Sequence, residues 1–351
     1  MNQIATKRNY AFDVLRFAAI SAVIMIHVSS RLFYEFDSAT FLVGNIFNSV
    51  SRFAVPVFAM ITGALLLREE KEISVKEVFS KYILRTALLF VFWSGVYVVI
   101  FRVLVPLKNG IQPDVSEMLK SFIKGHYHMW YLYMLAGFYL VLPLMKKFVR
   151  KDNMKAVSCV TAAMIIIQSL LPLADIFIVK HTEFSVVSFY ENSGLRTFFG
   201  FHMFFLLGRI LSSIEIKKIY KCLIYVSGGV SIVLTVVFTQ IISEKKAEAF
   251  TRLYDNLYLN TVITSVAVFV FIFSLFKNKN DTVALIKSVS GLSFGIYIVH
   301  PIVIELFCSR PFMPQSPVLY IISLWLITAV VSYAVCLAVS KIPFIKKLIR
   351  T

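Results

Sequence analysis

The feature that most constrains this chain is a run of apolar stretches, each long enough to cross a lipid bilayer, separated by short loops. Spanning takes about 20 residues, and ten stretches qualify: 11–33, 40–67, 83–105, 129–149, 154–179, 195–213, 219–242, 257–276, 289–309 and 317–342. Of the 351 residues, 58% are hydrophobic and only 16% charged. A soluble domain carries nearer a quarter charged residues, so a soluble fold of this length would lack polar residues to cover itself. The pattern predicts an all-α integral membrane protein, a polytopic bundle of about ten transmembrane helices, read as a single domain over 1–351.

The charge distribution predicts the topology. The formal net charge is +17, from 36 Lys+Arg against 19 Asp+Glu. A basic chain can signal nucleic acid, but here the cations sit in short clusters between apolar stretches, which excludes that reading. With the N-terminus inside, the inner loops and tails carry Lys7 and Arg8, the cluster from Arg68 to Arg85, the cluster from Lys146 to Lys155, Arg209 to Lys221, Lys277 to Lys287, and Lys341 to Arg350. They hold more than twice the basic residues of the outer loops, as the positive-inside rule requires. Both termini are therefore expected in the cytoplasm. Asp13, Arg16 and His27 inside the first stretch, with no small-x-small site after it, predict a membrane helix there rather than a cleaved leader.

Cys159, Cys222, Cys308 and Cys336 are widely spaced and apolar in context, so neither a disulfide framework nor a zinc site is expected. The histidines lack metal-ligand spacing, and no metal is assigned. Gly291-Leu-Ser293-Phe-Gly295 fits a nucleophile-elbow pattern, but it opens a membrane helix with no strand before it. Small residues for helix packing explain it better.

Ionisable residues inside membrane helices are costly and mark function. Arg16 and His27 are eleven positions apart, about 20° past three helical turns, so they share one face roughly 16 Å apart along the axis. Asp13 stands three residues before Arg16, the spacing of a helix ion pair. Arg52 lies in mid-stretch, with Glu305 or Asp13 as the ordinary counter-ion, and Pro56 one turn later predicts a kink. Thr62-Gly63 predicts a close helix approach. His126 and His128 precede an aromatic run, whose ordinary reading is an interfacial belt with two solvated histidines. His300-Pro301 and Glu305 occupy the ninth stretch, His202 the sixth, and His181 an outer loop.

Five of these elements, in this order, resemble the membrane acyltransferase-3 family. They are Asp13-Val-Leu-Arg16 followed by His27; Arg52-Phe-Ala-Val-Pro-Val-Phe-Ala-Met-Ile-Thr-Gly63; His128-Met-Trp130-Tyr-Leu; Leu206-Leu-Gly208-Arg209; and Ser293-Phe-Gly295-Ile-Tyr297-Ile-Val-His300. Thr62 replaces the usual Ser and Ala59 an aromatic. The compact layout is most similar to stand-alone O-acetyltransferases of the enterobacterial common antigen type. The resemblance implies ten helices around a central cavity, in the bacterial cytoplasmic membrane. It implies acyl-CoA, usually acetyl-CoA, as cytosolic donor, and a hydroxyl of an extracytoplasmic or lipid-linked glycan as acceptor.

On that reading Arg16, Lys81, Arg85 and Arg209 hold the CoA phosphates, for which cationic forks are suited. Lys81 and Arg85 stand in for the family's R-x-x-R pair, spaced one residue wider. His27 is the general base. Arg52 stabilises the thioester oxyanion, Glu305 orients a histidine or the acceptor, and Asp13, His128 and His300 complete the candidate site. No covalent nucleophile is visible, so direct transfer is expected. A glycan or solute transporter or flippase also uses buried Arg, His and Glu with kinked helices, but no inverted repeat is visible. A sensory membrane protein without catalysis is the third reading.

Overall fold

The structure, a computed structural model, describes residues 9–34, 36–182, 185, 188–189, 196, 200–279, 283–311, 313–343 and 346–349. Lys7, Arg8, Arg350 and the start of the stretch at 195–213 lie outside the described residues, as does the His181 side chain. Among the described residues every regular element is helical. The helices are α1 (Tyr10–Ser29), α2 (Ser38–Ser51), α3 (Ala54–Leu66), α4 (Val75–Lys108), α5 (Val115–Lys124), α6 (Trp130–Phe148), α7 (Met154–Thr182), α8 (His202–Ser213), α9 (Lys218–Lys246), α10 (Leu259–Phe276), α11 (Ala284–Phe307), α12 (Pro317–Val339) and α13 (Lys346–Ile349). They fall into two compact units, one of Met1–Thr62 with Ile210–Thr351 and one of Gly63–Arg209.

Eight helical segments among the described residues are long and apolar enough to cross a membrane. They correspond to eight of the ten apolar stretches. The other two stretches coincide with α6, whose run ends in Lys146 and Lys147, and α8, of which 12 residues are helical. Side-chain placement along these helices inverts that of a soluble protein. On α9, Gly228, Ser231, Thr235, Thr239 and Ser243 are buried at three- and four-residue intervals. Leu223, Val226, Val230, Val233, Val237 and Ile241 point outward. Outward apolar and inward small polar residues are what lipid demands of a helix. The protein is thus a multi-pass helical membrane protein.

In the first unit, α1 sits at the centre of the packing. It meets α10 antiparallel, through Tyr10 with Phe276 and Phe12 with Phe273. It meets α11 parallel, through Asp13 with Ser290, His27 with His300 and Arg31 with Glu305. Helices of one membrane run parallel only when an even number of crossings separates them. Among the described residues, α11 is the seventh crossing without α6 and α8 and the ninth with both. On the described residues the parity is kept when both cross, which is the ten-helix expectation, or when neither does.

One proline and two glycines show how local chemistry sets helix geometry. Pro56 cannot donate to the Arg52 carbonyl four residues back, and the helix breaks there: α2 ends at Ser51 and α3 begins at Ala54. The kink expected at Pro56 thus falls one turn earlier, at the bond the proline removes. In α9 and α10, Gly228 lets Ala267 approach so closely that a Cβ would lie 2.3 Å from its methyl carbon. Gly295 of the declined elbow pattern packs likewise, with Cys336 Sγ 3.0 Å from the position of a Cβ. Ser293 Oγ donates to the Ser290 carbonyl at 2.9 Å within unbroken α11, so no elbow forms.

In the second unit, α3 and α8 approach at Gly63, where a Cβ would stand 1.7 Å from the Phe205 carbonyl oxygen. Backbone cannot yield as a flexible side chain can. Gly63→Ala should therefore force the helices apart and cost about 3 kcal/mol or more. Thermal unfolding in detergent should show a clear drop in Tm for Gly63→Ala and little change for Gly229→Ala, where a Cβ meets open space.

Candidate active site

Three contacts tie α1 and the short turn that follows it to α11 at three levels. At the first, Asp13 is fully buried and accepts a hydrogen bond from Ser290 Oγ at 2.6 Å. Arg16 Nη1 lies 3.6 Å from the same carboxylate oxygen, and its side chain keeps a partly exposed edge. A buried carboxylate is tolerated only when paired and hydrogen-bonded, and Asp13 has both.

Fourteen residues on, roughly 21 Å along the axis, His27 faces His300 with ring centroids 5.1 Å apart. His300 is fully buried, and its Nδ1 lies 2.7 Å from the Tyr297 carbonyl oxygen. A carbonyl can only accept, so Nδ1 carries a hydrogen and the neutral ring keeps its basic lone pair on Nε2. One turn further, Arg31 pairs with Glu305.

A second layer braces this pair. Asn48 of α2 donates through Nδ2 to the Ile26 carbonyl at 3.0 Å and to Ser29 Oγ at 2.9 Å. It thereby holds the last turn of α1 on both sides of His27. Its Oδ1 accepts from Arg52 Nε at 2.6 Å, and Arg52 Nη2 bonds the same oxygen. Arg52 Nη1 donates to the Tyr254 carbonyl at 3.1 Å, and the guanidinium lies 4.5 Å from the centroid of the Tyr254 ring. The counter-ion expectations are corrected accordingly. Arg52 is held by Asn48 and Tyr254 rather than by Glu305 or Asp13. Glu305 pairs with Arg31 rather than orienting a histidine.

The second unit carries the remaining candidates. Lys81 and Arg85 lie on α4, where Val78–Ile83 forms a π-helical turn. Such turns are rare and recur at functional sites. Lys81 is two-thirds exposed and paired with Glu77 at 3.0 Å, while Arg85 lies near Lys81 and Tyr139. Arg209 is buried and its charge is felt by Arg68 and Lys146 instead. Lys146 Nζ donates to the Arg68 carbonyl at 2.7 Å and to the Leu66 carbonyl at 3.4 Å, closing the end of α3. Burial, with Arg209 adding to it, holds the Arg68 guanidinium below its ordinary value. Arg68, Lys71, Lys146 and Arg209 thus form a cationic group tempered by Glu69 and Glu70.

His128 is buried rather than solvated, and its Nδ1 lies 3.0 Å from Nδ1 of His126. His126 stacks on Tyr97 at 4.2 Å and on Phe101 at 5.3 Å. The expected solvated belt is therefore a packed aromatic group. Its cause is the turn at 126–129, which folds both rings back onto the far end of α4.

Ser290, Asn48, Arg31 and Tyr254 in the first unit, and Arg68 and Lys146 in the second, are residues that sequence reasoning missed. Only Asn48 left a local signal, standing one turn before Arg52 in an apolar run.

Burial, with the nearby Arg102 charge adding to it, pushes the His126 imidazole down to about 4. The unfolded chain holds a histidine near 6.5, so between these values the unfolded state binds more protons. The stability due to neutral His126 is complete above about pH 6.5 and is lost as pH falls toward 4. Tm measured from pH 7 to pH 4 should fall less steeply for His126→Asn than for wild type, and the His126 ring signals should not titrate between pH 5.5 and 8.

Comparison with known proteins bears on this geometry. No curated protein and no solved structure matches the chain. A family model described as an acyltransferase domain matches residues 9–340. The match takes in every candidate described above, from Asp13 to Glu305. The chain belongs to the acyltransferase-3 family and is a membrane acyltransferase.

Proposed function

We propose that this acyltransferase moves an acyl group, acetyl in the simplest case, from cytosolic acyl-CoA to a hydroxyl of an extracytoplasmic or lipid-linked glycan. It would work in a bacterial cytoplasmic membrane with both termini inside. The observation that carries the reading is the His27–His300 pair, set in a buried helix interface with Nδ1 of His300 engaged on a carbonyl.

The chemistry needs a base near neutral pH, and histidine supplies one. Nε2 of His300, or His27 beside it, takes the proton of the acceptor hydroxyl. The hydroxyl oxygen bonds to the thioester carbon, the carbon–sulfur bond breaks, and the electron pair leaves with CoA sulfur. The proton then returns to that thiolate, so the step needs no co-reactant. Asp13, held by Ser290, fixes the far end of α1, and Asn48 with Arg52 fixes the near end. Arg52 therefore serves as a brace in this scheme rather than as an oxyanion donor.

The CoA phosphates need cations. Arg68, Lys71, Lys146 and Arg209 supply them in the second unit, and a bound phosphate would relieve their mutual repulsion. In the same unit, Lys81 on the π-turn of α4 and Arg85 just after it are further candidates for an anion, and in the first unit Arg16 keeps a partly exposed edge.

The test is thiol release from acetyl-CoA by the protein in lipid vesicles with a glycan acceptor. Wild type should release CoA in step with acceptor acylation. His300→Gln and His27→Gln, at equal protein level, should lower kcat by about 10²–10⁴-fold, the usual worth of a general base. Arg209→Gln should raise KM for acetyl-CoA more than it lowers kcat. Absence of thiol release with any short acyl-CoA, together with solute movement across the vesicle wall, would overturn the reading in favour of transport.

A further inference from the structure

His300 and Pro301 are neighbours on α11, and the second governs the first. In an α-helix the carbonyl of residue 297 accepts from the backbone N–H of residue 301. Pro301 has no N–H, and its ring crowds that same carbonyl. Yet α11 continues from Ala284 to Phe307. The Tyr297 carbonyl, deprived of its helical donor, is the one that accepts His300 Nδ1–H at 2.7 Å, and the Ile296 carbonyl lies at 3.3 Å. The imidazole thus takes the place of the missing backbone donor.

We propose that Pro301 is a positioning residue for acyl transfer. Its missing N–H releases the Tyr297 carbonyl to lock His300 in the Nδ1–H tautomer, which places the basic nitrogen at Nε2, with the ring held beside His27. A residue with an N–H at position 301 would compete for that carbonyl, free the ring to turn, and let the Nε2–H tautomer form. The inference rests on the reading of His300 as a proton-handling group in the transfer.

The experiment uses the full chain, labelled with ¹⁵N-histidine and reconstituted in lipid. The His300 signals are assigned by their loss in His300→Gln. Wild type should show a protonated Nδ1 and an unprotonated Nε2. Pro301→Ala should populate the Nε2–H tautomer and lower kcat about 10-fold, the worth of one orienting hydrogen bond, with KM for donor and acceptor nearly unchanged. An amide-to-ester replacement at position 301, which removes the N–H without a proline ring, should keep the native tautomer and most of the rate. If Pro301→Ala fails to fold, the ester variant decides: a native tautomer supports the lock and an Nε2–H ring overturns it. An unchanged His300 spectrum in Pro301→Ala would likewise overturn the lock. Full activity in His300→Gln would instead overturn the reading of the site on which the lock rests.

Discussion

The first unit depends on the parallel pairing of α1 with α11. Two apolar helices in lipid gain little from hydrophobic contact, because lipid tails are as apolar as their side chains. What holds a register there is close packing and polar contact. Asp13 with Ser290, His27 with His300 and Arg31 with Glu305 supply three such contacts along one seam. A slip of one helix past the other would break all three, and a buried carboxylate without a donor is expensive. The contacts that fix the fold are thus the ones that assemble the candidate chemistry.

The rest of the unit supports that seam. Asn48 reaches from α2 to the last turn of α1, and Arg52 holds Asn48 from below while resting on the Tyr254 ring. Trp325 of α12 donates to the Ser21 carbonyl at 2.9 Å, midway along α1. Each brace uses a polar group that would cost free energy if it faced lipid, so the bilayer itself drives these side chains inward. In the second unit the same pressure gathers Arg68, Lys146 and Arg209 at the end of α3 and folds His126 and His128 onto Tyr97.

The helices and the intramembrane residues were legible in the sequence, because apolar length and the 3.6-residue period are local properties. Arg16 and His27 could be placed on one face of α1 by counting alone. What that face meets could not be counted: Asp13 and Ser290 are 277 positions apart, and Arg31 and Glu305 are 274. Nothing local marks Arg31 as an intramembrane partner, so it reads as an outer-loop cation, and nothing local shows that Arg52 meets Asn48 and Tyr254 rather than Glu305 or Asp13. The cationic group at the end of α3 was hidden for a related reason. The positive-inside pattern groups Lys81, Arg85 and Arg209 as inner-loop cations, but which cations meet takes contacts. Arg68 and Lys146, 78 positions apart, are brought together only by the fold. The tautomer of His300 shows the opposite case, since Pro301 follows it directly and the carbonyl that the proline frees is fixed by helix geometry.

The central claim is that His27 and His300 act as one unit. A double-mutant cycle on kcat/KM for acetyl-CoA, with His27→Gln, His300→Gln and the double variant, tests it directly. Residues that act together are grossly non-additive, so the double variant should be about as slow as the slower single one. Losses that multiply, leaving the double variant slower by the product of the two single effects, would contradict the account and assign the two rings to separate tasks.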